Sequence, residues 1–131
     1  MKRIYIIAGV SFAAIAVMLG AFGAHALKAK LPTDMLQVFE TGVRYQMYHS
    51  LALIFTGMLS EKIISNSVRY AGNLFIAGIF LFSGSLYLLS TKEIFGGGSL
   101  NFLGPVTPLG GLCFLAGWIM ILYAVVKNKQ I

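Results

Sequence analysis

The sequence predicts an all-α integral membrane protein, a four-helix bundle with an amphipathic, interfacial lead-in to its second helix, and three observations carry that reading. Of 131 residues, 58% are hydrophobic and only 11% charged, whereas soluble domains hold roughly half apolar and roughly a quarter charged residues. A chain this short cannot hide such an excess inside one globule, because small domains leave much of their surface exposed. The apolar residues also fall into long runs between short polar breaks, on the scale needed to cross about 30 Å of hydrocarbon at about 1.5 Å per residue. A single domain is expected over residues 1–131, with spans near 4–27, 45–60, 68–91 and 105–126.

The net charge of +6 does not indicate nucleic acid, because the ten Lys and Arg residues lie in ones and twos at the ends of apolar runs. That spacing is a topology signal. Cys113, the only cysteine, excludes an intramolecular disulfide and a cysteine-built metal cage within one chain.

The first run follows the basic start Lys2-Arg3 and is too long for the apolar core of a secretory signal, about 7–15 residues. Gly9, Ala13, Ala16, Gly20 and Ala24 recur along it at spacings of three or four, a stripe that lets another helix approach closely, in this chain or in a second one. After the polar break at 28–33, Thr33 is placed to cap the next helix and Asp34 to complement its first turn. Residues 34–44 read as the interfacial lead-in, with Glu40 and Arg44 at the spacing of a surface ion pair and Gly42 as a bend. Residues 45–60 then enter the bilayer. Residues 61–69 form a short polar connection to the third span, which stacks Ser83, Tyr87 and Ser90 on one face of its second half and carries Asn73 near its other end. The link from 92 to 104 contains the flexible tract at 96–99. Pro105 or Pro108 fits the first turn of the last helix, where Gly110, Cys113 and Gly117 form a second small-residue seam beside Trp118 and Tyr123.

Four spans put both termini on one side, with six basic residues there against four on the other. The positive-inside bias places that side in the cytoplasm. His25, Arg44, Tyr45, Gln46, His49, Ser83, Tyr87 and Thr107 would then belong to the outer half and form a candidate polar pocket. Ionisable residues within spans tend to face the bundle interior. His49 has two readings: a neutral histidine hydrogen-bonded to a neighbouring helix, or one wall of a binding pocket. Glu40 and Arg44 project about 180° and 140° away from it at about 100° per residue, which excludes a three-member catalytic cluster on one helix. His25 and His49 together fall short of the three or four ligands of a zinc site. No nucleophile motif, phosphate-cradling loop, cofactor or metal site is expected, so no catalytic residue is assigned.

LGAFGAH (19–25), TGVRYQMYHSLAL (41–53), FSGSLYLLS (82–90) and GPVTPLGGLCFLAGW (104–118) occur in order along nearly the whole chain. Together they resemble the small bacterial inner-membrane proteins of the YgdD and YwdK type, a domain-of-unknown-function family with more distant eukaryotic relatives. The resemblance implies a four-span protein of the bacterial cytoplasmic membrane and brings no catalytic residue with it. Ser85 and Pro108 join the polar residues within these blocks. Two roles follow as expectations: an accessory or assembly component acting through helix packing, with lipid and a second copy or another membrane protein as partners, or small-solute, lipid or proton binding and transport around His49.

Overall fold

The computed structural model describes residues 2–96 and 100–129. It contains four long helical rods, in order α1 (Lys2–His25), α2 (Thr33–Lys62), a third rod made of α3 (Asn66–Gly78), a wide π-helical stretch (Ile79–Gly84) and α4 (Ser85–Thr91), and finally α5 (Val106–Lys127). Three of the rods, Lys2–Ala29, Asn66–Thr91 and Asn101–Lys127, are long and apolar enough to cross a membrane. The exception is α2, which is long enough but carries Asp34, Glu40, Arg44, Glu61 and Lys62 together with Gln46, His49, Ser50 and Thr56. Its polarity is tolerable because those last four residues are buried against the other rods.

Close backbone approach joins α1 to α2. A Cβ on Gly9 would lie 2.7 Å from the Ser50 carbonyl oxygen, and one on Gly57 would lie 2.9 Å from the Lys2 carbonyl oxygen. Each helix therefore offers a glycine to the other's backbone, as small residues do where helices pack in lipid. Ala16 is fully buried, Ala13 is half-buried, Gly20 faces Val43 and Gly23 faces Phe39. The seam turns at its end onto Gly23, leaving Ala24 exposed. In α5, Gly110 and Gly117 are buried, against Phe82 and Phe75, while Cys113 is half-buried.

The main core joins Tyr5, Leu53, Val68, Phe75, Phe114 and Ile121 from all four rods. A smaller cluster of Leu27, Leu31 and Phe39 closes the first connection. There the apolar residues turn inward while Lys28 and Lys30 remain exposed.

Several local expectations are corrected. The cap position of α2 is Pro32, not Thr33, and no side chain caps it. Helix α2 runs through Gly42 without interruption, and this glycine makes room for the Tyr87 ring instead of a bend. The polar connection shortens to three residues, 63–65, where Ser65 Oγ accepts from the Val68 N–H at 3.3 Å and caps α3. Pro105 is the cap position of α5 and Pro108 falls in its first turn, positions that need no backbone N–H donor. The flexible tract expected at 96–99 lies, from 97 to 99, outside the described residues.

Candidate functional site

The polar side chains of α2 point into the bundle and bond to every other rod. Gln46 Nε2 donates to the Phe12 carbonyl of α1 at 2.8 Å, and its Oε1 accepts from the Tyr87 hydroxyl of α4 at 2.6 Å. This one amide ties three rods together. One turn toward the N-terminus of α2, the Gly42 carbonyl accepts from Ser83 Oγ at 2.7 Å. Ser85 and Thr107 pair at 2.6 Å, linking the third rod to α5. Residues two apart on a helix project to nearly opposite sides, so Ser83 reaches α2 while Ser85 reaches α5.

His49 is 5% exposed and uses both ring nitrogens. Nδ1 lies 2.8 Å from the Tyr45 carbonyl, and Nε2 lies 3.1 Å from the indole Nε1 of Trp118 on α5. A carbonyl only accepts and an indole N–H only donates. The pair of bonds therefore fixes the neutral tautomer with its proton on Nδ1. The Phe114 ring stacks on the imidazole with centroids 3.5 Å apart and planes 7° from parallel, and Phe75 closes another side at 5.6 Å. No ring nitrogen is left for a metal or a substrate proton. Among the described residues no group of three His, Cys, Asp or Glu side chains is placed to hold a metal ion, and no buried side-chain nitrogen or oxygen lacks a hydrogen-bond partner.

The expected pocket divides on inspection. Gln46, Tyr87 and Ser83 share one network, His49 has its own with Tyr45 and Trp118, and Thr107 joins Ser85. His25 and Arg44 belong to none of the three: both are exposed. Because α1 and α2 run antiparallel, with Gly9 opposite Ser50 and Gly23 opposite Phe39, His49 is level with the middle of α1. That puts His25 roughly 18 Å away along the axis, at about 1.5 Å per residue. The two histidines do not converge. Arg44 turns back to Thr41 Oγ1 at 3.3 Å and makes no ion pair with Glu40, in keeping with how little an exposed pair contributes. Among the described residues the one ion pair joins Lys2 to Glu61 at the opposite end.

Reading the sequence missed Trp118 as a polar partner and took it for apolar bulk. The available signal was chemical: an indole inside a span needs an acceptor. Also missed were three open clefts, and these three do not border His49. They lie at the end where α2 meets α3 and along the outer side of α3, lined by residues such as Asn66, Arg69 and Asn73.

Comparison with known proteins agrees with this helical, lipid-suited architecture. The family model described as "Protein of unknown function (DUF423)" matches residues 19–111. UPF0382 membrane protein YwdK of Bacillus subtilis is 50% identical over 126 residues, covering 95% of this chain and 98% of that protein. UPF0382 membrane protein SAB0533 of Staphylococcus aureus is 45% identical, covering 95% and 97%, and SH2409 of Staphylococcus haemolyticus is 42% identical with the same coverage. No solved structure matches the chain. With a family model spanning most of its length and relatives that match it end to end, this helical membrane protein belongs to the DUF423 family.

Proposed function

We propose that the chain crosses the bacterial cytoplasmic membrane four times with both termini in the cytoplasm, and that it works as a packing or assembly component. The observation that carries this reading is the closed interior. Tyr87 bonds Gln46, Trp118 bonds His49, Ser83 bonds the Gly42 carbonyl, and none of these five residues lines the three clefts described above. A bundle sealed in this way offers other proteins its outer surface. Ala14, Ala21 and Ala24 are exposed on α1, side chains small enough for a helix of a second copy or of another membrane protein to approach closely. Solute or proton passage through His49 finds no support in this packing, because both ring nitrogens are engaged.

Light scattering on the protein in mild detergent tests the proposal. A stable oligomer or a defined co-purifying membrane protein is the expected result. A strictly monomeric species with no partner, combined with solute uptake in proteoliposomes that is lost in His49→Ala, would replace assembly with transport. A reporter fused after residue 131 tests the topology, and its exposure outside the cytoplasm would reverse the orientation.

A further inference from the structure

The end of the bundle that holds the start of α1, the close of α2, the start of α3 and the close of α5 is strongly cationic. It gathers Lys2, Arg3, Lys62, Arg69, Lys127 and Lys129 around a single acidic residue, Glu61, and Glu61 is already paired with Lys2. Two clefts open there. One, of about 810 Å³, lies between α1 and α3 and includes Tyr5, Ser65, Asn66, Arg69 and Asn73. The other, of about 760 Å³, shares Ser65 and Asn66 and adds Lys127 and Lys129. No carboxylate lines either cleft.

The polar groups of the first cleft are already oriented. The Tyr5 hydroxyl donates to the Arg69 carbonyl at 2.8 Å and lies 3.0 Å from Asn73 Oδ1. Arg69 Nη2 donates to Asn66 Oδ1 at 2.7 Å, so one edge of the guanidinium is fixed while its other N–H donors make no bond within the described residues. A guanidinium held in this way suits the oxygens of a phosphate. Lys127 Nζ lies 5.6 Å from the Tyr123 ring centroid, a cation–π contact that holds the ammonium beside the second cleft.

Asn73 also borders a third cleft, of about 470 Å³, running along α3 and α5 beside Tyr70, Leu74, Ala77 and Met120. Apart from Asn73 and the Tyr70 hydroxyl its wall is hydrocarbon, sulfur and aromatic ring. A polar cleft holding a guanidinium with one edge fixed and other donors exposed, near the start of α3, therefore adjoins an apolar groove running along that helix. We propose that this face of α3 binds an anionic glycerophospholipid, with the phosphate on Arg69 and Asn66 and an acyl chain along Leu74, Ala77 and Met120. Lys127 and Lys129 add attraction for negative charge from the neighbouring cleft. A free anion would use the polar cleft alone and leave the groove without a role. The site is separate from the closed network around His49 and adds a specific lipid contact to the packing role.

The test is native mass spectrometry of the full-length protein in detergent with dioctanoyl phosphatidylglycerol, dioctanoyl phosphatidylcholine or glycerol 3-phosphate. A basic side chain near a headgroup contributes about fivefold in binding. The anionic lipid is therefore expected to bind about fivefold or more tightly than the zwitterionic one, and Arg69→Gln is expected to cut that preference about fivefold. Ala77→Phe, which fills the groove, is expected to weaken both lipids. Helical circular dichroism and a monodisperse elution profile establish that each variant is folded. If Arg69→Gln does not fold, the exposed Lys127→Gln is used with the same expectation in the same direction. Equal binding of the two lipids, or an unchanged preference in the folded variant, would overturn the proposal. Displacement of the lipid by equimolar glycerol 3-phosphate would also overturn it and point to a free-anion site.

Discussion

Trp118 donates its indole N–H to His49 Nε2 across 3.1 Å, while the other face of the histidine's bonding is taken by the Tyr45 carbonyl at 2.8 Å. This bond joins α2 to α5 inside the bundle, where His49 is 5% exposed. Trp118 is 44% exposed at its outer side, so one residue presents its ring to lipid and its N–H to the interior.

The first prediction isolates that bond. In a double-mutant cycle, Trp118→Phe and His49→Ala are expected to couple by about 0.6–1.7 kcal/mol, the range of interhelical hydrogen bonds in membranes. The coupling is read from unfolding in mixed micelles. Additive losses would show that His49 and Trp118 are neighbours without a bond.

The second concerns Gln46 and Tyr87. Gln46→Leu removes the acceptor of the Tyr87 hydroxyl and is expected to cost about 1–3 kcal/mol, the penalty of a buried group left unpaired. Adding Tyr87→Phe removes the orphaned hydroxyl, so the double variant should recover part of that loss. A double variant less stable than Gln46→Leu alone would contradict the network.

Two glycines give opposite expectations. On Gly110 a Cβ would lie 2.7 Å from the Phe82 Cα, part of the backbone, which cannot swing aside. Gly110→Ala is therefore expected to force α5 away from the third rod and lose about 1–3 kcal/mol as an overpacked site. Gly84, in contrast, has ordinary helical angles and nothing within 4 Å of the same added atom. Gly84→Ala should be neutral or stabilising by up to about 1 kcal/mol. Thermal unfolding of the two variants side by side checks both, and equal effects would refute the packing assigned to Gly110.

The helical architecture was legible because lipid imposes a simple rule: long apolar runs read directly as rods, and Lys2–Ala29, Asn66–Thr91 and Asn101–Lys127 are helices long and apolar enough to cross a membrane. Helix α2 was harder, since its membership of the bundle depends on being enclosed and not on hydropathy. The level of His49 along its neighbour was harder still: α2 begins at Thr33 and pairs antiparallel with α1, which brings His49 opposite the middle of that helix. Periodicity placed Gln46 and His49 on one face of α2. It could not name Phe12, Tyr87 or Trp118 as their partners, because those bonds span 34, 41 and 69 residues of sequence. The π-helical stretch at Ile79–Gly84 left no pattern in the sequence.

Bonds between helices tie the buried polar side chains together. The chain has one tryptophan, so its indole N–H gives a single side-chain signal in nitrogen-15 NMR. A measurable coupling is expected across the hydrogen bond between Trp118 Nε1 and His49 Nε2, with Nε2 unprotonated and the indole proton shifted downfield, all lost in His49→Ala. An indole signal unchanged by that substitution, or a His49 ring protonated on Nε2, would contradict it.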